Sequence, residues 1–215
     1  MFEGCTSLTT TPELPSTTLA ERCYNGMFRN CTSLTTAPEL PSTALAHGCY
    51  REMFYGCTSL TQAPELQSTT LAAYCYRSMF YNCTSLTTAP ELPATTLVDS
   101  CYYNMFWGCS SLNTIKIGYT GNFSGTGVPS NAFSNWVSGV ASSGTFYYDG
   151  EDTTTGNSAI PTGWTVISYD YDGLTFEALE NGTTIQMVAE SGAPSVSLEY
   201  TIDGNTWNPF TVGST

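Results

Sequence analysis

Apolar and polar positions alternate in blocks along the first half of the chain, and one block is enough to see the rule. In LAERCYNGMFRN, residues 19–30, a helical wheel at about 100° per residue puts Leu19, Ala20, Cys23, Tyr24, Met27 and Phe28 on one half. Glu21, Arg22, Asn25, Gly26 and Arg29 fall on the other. The pattern predicts a short amphipathic helix with an inward apolar face. The block returns downstream with its apolar positions nearly unchanged, whereas the outward ones become His47, Gly48, Arg51, Glu52 and Tyr55, then Ala73, Tyr74, Arg77, Ser78 and Tyr81. Ser16, Thr17 and Thr18 are N-cap candidates, with Glu21 completing a capping box. The residue before each of five cysteines reads Gly4, Asn30, Gly56, Asn82 and Gly108. Glycine and asparagine enter the left-handed region most readily, so this position is expected to stop the helix there.

The block belongs to a repeat of 26 residues that restarts at Met1, Met27, Met53 and Met79, with a fifth copy opening at Met105. Met1 occupies a repeat position, so the sequence is expected to begin inside a longer array. Each copy offers about six core side chains worth about 1.5–3 kcal/mol apiece when buried. Ordering the backbone costs about 1–2 kcal/mol per residue. A single copy therefore cannot stand alone, and stacking of copies into a solenoid is required. The second half of each copy supplies a short parallel strand, expected over 33–37 and its counterparts. Pro12, Pro38, Pro64 and Pro90 limit it, because proline cannot donate to a ladder. The fifth copy lacks the proline and reads Leu112, Ile115, Ile117, an L-x-x-I-x-I pattern.

The wording MF-x-G/N-C-T-S-L-T-x-A-P-E-L-P, preceded by LA-x-x-CY, resembles the BspA-like leucine-rich repeats of bacterial surface proteins. The resemblance covers residues 1–117 and implies an α/β solenoid of short parallel strands and short helices. It also implies a role in adhesion to host or matrix molecules. Residues 118–167 read as a C-terminal cap of the array. Within it, Phe133, Trp136, Val137 and Val140 are spaced as on a helix, and Thr145–Tyr148 with Trp164–Ile167 are expected to add closing strands. Residues 168–215 change texture: Val196, Leu198, Tyr200 and Ile202 alternate with polar residues before an Asp203-Gly204 turn. They read as a small antiparallel β module, immunoglobulin-like and incomplete.

Charge and chemistry narrow the functional classes. A net charge of −13 with only five basic residues disfavours nucleic acid and anionic membranes, which need clustered lysine and arginine. No apolar run is long enough to span a bilayer. All nine cysteines lie in the repeats, at Cys5, Cys31, Cys57, Cys83, Cys109 and at Cys23, Cys49, Cys75, Cys101. Their spacing lacks the close pairs and histidines of a zinc site. Buried thiols fit better, with disulfides open as the alternative. His47 is the sole histidine, stands on the variable face without a fixed partner, and offers no catalytic constellation. No catalytic, metal or cofactor residues are assigned. Glu13, Glu39, Glu65 and Glu91 recur in one register, either splayed into solvent or sharing cations.

What remains is the outward face, where Arg51 and Arg77 accompany Tyr55, Tyr74, Tyr81, Tyr103 and Trp107, with Arg22 and Arg29 nearby. Exposed aromatics beside arginine are the material of binding hot spots; the alternative is that these rings cover neighbouring copies and the cap. The expectation is a non-enzymatic, cell-surface or secreted protein that presents this scaffold to a protein or glycan partner. A virion or tail-fibre component, or the targeting part of an enzyme, are the competing readings.

Overall fold

The computed structural model describes residues 1–168, together with the strands Leu198–Tyr200 and Asn208–Phe210. Two compact units, Met1–Tyr171 and Asp172–Thr215, divide the chain. In the first, successive copies stack through parallel backbone hydrogen bonds. Arg22, Tyr24, Gly26, Phe28 and Asn30 donate to the carbonyls of His47, Cys49, Arg51, Met53 and Tyr55, at 2.7–3.0 Å. The next two copies repeat this connection.

The residues between those donors do not form a helix, and no helix occurs among the described residues. Instead Cys23, Asn25, Met27, Arg29 and Cys31 each donate to the carbonyl three residues back, at 3.1–3.3 Å. Alternate amides thus close tight turns while the others bond to the next copy. Every fourth residue is left-handed: Arg22, Gly26 and Asn30 have φ of 54°, 60° and 59°, and Gly48, Glu52 and Gly56 have 59°, 55° and 71°. The segment is a run of four-residue turns. Over a dozen residues a period of four drifts from the helical period of about 3.6 by little more than one position, which is why the wheel fits it. The positions expected to be left-handed, Gly4, Asn30, Gly56, Asn82 and Gly108, all are. They end a turn ladder rather than a helix. The cap repeats the device over Asn131, Asn135 and Gly139, so its expected helix is also a turn ladder.

Ser16, expected as an N-cap, donates instead to the carbonyl of Thr18 at 2.7 Å, and its counterparts one and two copies on also serve carbonyls. Ser42 Oγ donates to Thr17 O or Ala44 O, each at 3.0 Å, and Ser68 Oγ does the same to Thr43 O and Thr70 O, at 2.8 and 2.6 Å. The Ser42 and Ser68 hydroxyls each staple their copy to the one before.

The parallel strand expected over 33–37 and its counterparts does not form in the proline-bearing copies, which carry only isolated parallel bridges, among them Thr36↔Gln62 and Thr88↔Thr114. The fifth copy has Lys116 where Pro90 stands one repeat earlier, and there a strand forms. β1 (Thr114–Lys116), β2 (Thr145–Tyr147) and β3 (Thr165–Ile167) make a parallel sheet in that order, with Ile115 opposite Phe146 and Phe146 opposite Val166. The expected closing strands of the cap are β2 and β3.

One apolar core runs from Leu14 to Trp164. Two aromatic columns form its spine. Phe2, Phe28, Phe54, Phe80 and Phe106 stack with centroids 5.6–5.7 Å apart and planes within 10°. Tyr24, Tyr50, Tyr76 and Tyr102 follow at 5.8–6.2 Å. Offset pairs of this kind add about 0.5–1.5 kcal/mol each beyond burial. Trp136 closes both columns and donates its indole N–H to Ala159 O at 2.9 Å.

All nine cysteines are free, and the expected burial holds at seven of them but not at Cys5 and Cys23. Cys31, Cys57, Cys83 and Cys109 each donate a thiol to the carbonyl of Phe2, Phe28, Phe54 or Phe80 in the preceding copy, at 2.9–3.1 Å. Burial pushes the thiols of Cys49 and Cys101 up to about 11 and those of Cys57 and Cys109 to about 12.

In the second unit, β4 (Leu198–Tyr200) pairs antiparallel with β5 (Asn208–Phe210), Leu198 opposite Phe210. The remainder of the expected β module, and its immunoglobulin-like character, lie outside the described residues.

Candidate functional site

The turn ladder places one residue of each copy at the same outward position, so side chains 26 residues apart lie side by side. Strands in such a ladder are about 4.8 Å apart, close to the thickness of two stacked rings. Tyr55 and Tyr81 accordingly stack at 4.4 Å with planes 3° apart, and Tyr81 and Trp107 at 4.5 Å and 10°. Arg29, the same position one copy earlier, lays its guanidinium 4.6 Å from the centre of Tyr55. The result is a continuous row: Arg29, Tyr55, Tyr81, Trp107.

A second row contains Arg51, Arg77 and Tyr103. Arg77 lies 4.4 Å from the Tyr103 ring centre and 5.6 Å from that of Tyr74, which belongs to a third row. Tyr74 also meets His47 at 5.2 Å. The rings expected to be exposed are half-buried, because stacking hides their faces. Burial, reinforced by the neighbouring Tyr55, pushes the Tyr81 phenol above its ordinary value.

Three outward residues have contacts that the sequence reading missed. Glu52 accepts from Arg51 Nε and Nη2 at 3.0 and 2.9 Å, and its other oxygen lies 3.3 Å from Arg29 Nη1. Arg29 completes the ring row. His47 lies beside an acid, with Nδ1 3.3 Å from Glu21 Oε1, but that nitrogen makes no hydrogen bond. The signal for Arg29 was present in the register it shares with Tyr55; nothing in the spacing singles out Glu52, whose role depends on a left-handed backbone.

The other long face carries the glutamate register. Glu13, Glu39, Glu65 and Glu91 are all exposed, and Glu91 pairs with Lys116 at 3.3 Å. Beside them lies a shallow groove of about 420 Å³ lined by residues including Thr36, Gln62, Thr88 and Pro90. No group of histidine, cysteine and acidic residues among the described residues is arranged to hold a metal ion, and no helix there is long and apolar enough to cross a membrane.

The chain matches no curated protein and no solved structure. The profile of the BspA type leucine-rich repeat region does match, in six copies, over residues 1–88 and 25–139. That span is well over half of the chain, and it contains the stacked rows described above: the chain belongs to the BspA type leucine-rich repeat family.

Proposed function

We propose that this is a non-enzymatic binding or adhesion protein, surface-exposed or secreted, that engages a partner through its outward turn face. The observation that carries the reading is the row Arg29–Tyr55–Tyr81–Trp107 with Arg77, Tyr74 and Tyr103 beside it. A core position keeps its residue from copy to copy, as the phenylalanine and cysteine columns do. These outward positions instead change, and the changes accumulate tyrosine, tryptophan and arginine, the residue types that dominate binding energy.

Localisation outside the cell fits the family and survives the usual objection from cysteine. Nine thiols without a disulfide would ordinarily argue for a reducing compartment. Here seven are buried, and burial holds Cys49, Cys57, Cys101 and Cys109 protonated, so they are poor nucleophiles for exchange.

The reading is tested by presenting the protein to arrays of matrix proteins, cell-surface proteins and glycans. Replacing Tyr55, Tyr81 and Trp107 together by leucine, which keeps apolar bulk, is expected to abolish capture. Replacing Glu39, Glu65 and Glu91 by glutamine is expected to preserve it. The reverse pattern transfers the partner surface to the glutamate and threonine side and sinks the proposal.

A further inference from the structure

Arg51 and Arg77 hold the same position in consecutive copies, and their surroundings differ in one decisive residue. Beside Arg51 stands Glu52, which engages it through two hydrogen bonds. Beside Arg77 stands Ser78. Residues 52 and 78 have nearly the same left-handed backbone, with φ of 55° and 54°, so the difference is chemical: serine brings no carboxylate. The other basic residues are all paired with acids. Arg22 meets Glu21 at 3.6 Å, Arg29 meets Glu52, Arg51 meets Glu52, and Lys116 meets Glu91. No acid among the described residues forms such a pair with Arg77. Its guanidinium contacts ring faces, Tyr103 at 4.4 Å and Tyr74 at 5.6 Å.

We propose that Arg77, clamped by Tyr74 and Tyr103, is a carboxylate-binding site, and that its occupant is an aspartate or glutamate side chain in an acidic segment of a protein partner. The proposal rests on the reading of the outward face as the partner surface and specifies what that face recognises. A guanidinium offers five N–H donors in a planar fork that matches a carboxylate. A guanidinium stacked on a ring uses its flat face for that contact, and its N–H donors point along its edge. Ring contacts also hold a flexible side chain in place, so less entropy is lost when a ligand arrives.

The ring row argues for a protein over a sugar. A sugar held by aromatic residues lies against open ring faces, but Tyr55 is covered by Arg29 on one side and Tyr81 on the other, and Tyr81 lies between Tyr55 and Trp107. Those two rings offer edges and hydroxyls, which suit side chains and peptide groups. The overall charge of −13 opposes an acidic segment at long range. That opposition is screened beyond about 8 Å at physiological ionic strength, and Glu52, the acid in the adjacent copy, is already paired with two arginines.

The difference between the two copies supplies the test. The intact chain is titrated at physiological ionic strength with an acetylated, amidated tetraglutamate peptide while the arginine Nε–H resonances are followed by NMR. The Arg77 resonance is expected to shift saturably and the Arg51 resonance to stay put. Ser78→Glu copies the arrangement at Glu52 and should occupy Arg77 internally, weakening the peptide at least tenfold. Ser78→Gln, which adds the same bulk without charge, should bind within twofold of the parent. Glu52→Ser should create a second saturable shift, at Arg51. Arg77→Gln removes the site without touching residue 78 and must match Ser78→Glu.

Several results overturn the proposal. They are equal shifts at Arg51 and Arg77, no shift at Arg77 at millimolar peptide, or undiminished binding in Ser78→Glu or Arg77→Gln. Tighter saturation of Arg77 by sialyllactose than by the peptide would reassign the occupant to an acidic sugar. If array capture depends on the ring row while Arg77 stays silent, this inference fails and the broader reading stands.

Discussion

Gly56→Ala probes the stacking of copies where the backbones approach closely. The position alternates between glycine and asparagine along the array, as Gly4, Asn30, Gly56, Asn82 and Gly108, and all five are left-handed. A methyl group on Gly56 would collide with the side-chain oxygen of Asn30, and one on Gly108 with that of Asn82. The same methyl on Gly4 would meet nothing within 4 Å. Alternation thus lets each asparagine lie over a glycine. Two costs follow for Gly56→Ala: about 1–2 kcal/mol for a Cβ at φ of 71°, and a second for displacing Asn30. Contacting residues couple by about 0.5–3 kcal/mol, so the total with the strain should be about 1.5–5 kcal/mol. The assay is a double-mutant cycle in urea, read by circular dichroism, with Asn30→Gly as the second change. In the Asn30→Gly background the cost of Gly56→Ala should fall to the strain of about 1–2 kcal/mol alone. Equal costs in the two backgrounds would refute the reasoning, because Asn30 would then not occupy the space above Gly56.

Four further outcomes are expected. Asn82→Val forces a β-branched residue to φ of 57° and should destabilise by about 1–2 kcal/mol, whereas Asn82→Gly should melt with the parent; identical melting of both variants would contradict the left-handed assignment. Ellman's reagent should count all nine thiols in denatured, unreduced protein and only Cys5 and Cys23 rapidly in the native fold; a denatured count near one would mean disulfides. Because Cys49, Cys57, Cys101 and Cys109 have folded pKa values raised to about 11 or 12, the stability they contribute is complete below the unfolded value of about 8.5. It is lost as pH climbs towards the folded values, at up to about 1.4 kcal/mol per thiol per pH unit, so melting temperature should fall steeply between pH 9 and 11, and a flat profile would sink the assignment of charged-form exclusion. Tyr81→Ala loses two stacked neighbours and Trp107→Ala one, so the former should cost more in urea by about 0.5–1.5 kcal/mol; the opposite order would mean the rows do not stack as described.

The inward face was legible because repetition makes burial visible: positions that hold Phe28, Phe54, Phe80 and Phe106 through four copies are fully buried, and their constancy announces it. Backbone conformation was less legible. Turns of four residues and a helix bury nearly the same positions over twelve residues, and only the left-handed residues tell them apart. Of the three in each copy, the sequence betrays the last, always glycine or asparagine. The other two are glycine only at Gly26 and Gly48 and otherwise Arg22, Glu52, Tyr74, Ser78, Ser100 or Asn104, and most such side chains give no warning of a positive φ. The strand side shows the converse. Proline forbids a ladder bond by covalent chemistry alone, so the longer pairing at β1 follows from Lys116 standing where Pro90 stands, although the short strand expected over 33–37 is only an isolated bridge.

Those irregular left-handed residues join conformation to the proposed surface. A residue with a Cβ held at φ near 55–60° costs about 1–2 kcal/mol against a glycine, and glycine was available, since Gly48 occupies the position of Tyr74 and Gly26 that of Glu52. At Tyr74 and Glu52 the side chain carried at that cost makes an outward contact. Tyr74, at φ of 60°, braces Arg77 and His47; Glu52, at 55°, engages Arg29 and Arg51. Strain of this kind persists only where the surroundings over-determine it, and here the flanking turn and inter-copy hydrogen bonds fix the backbone on both sides of the residue. The fold is therefore indifferent to the side chain carried at these positions beyond that modest penalty. The ladder can exchange Glu52 for Ser78 between copies, unmasking an arginine, without altering a single hydrogen bond of the scaffold.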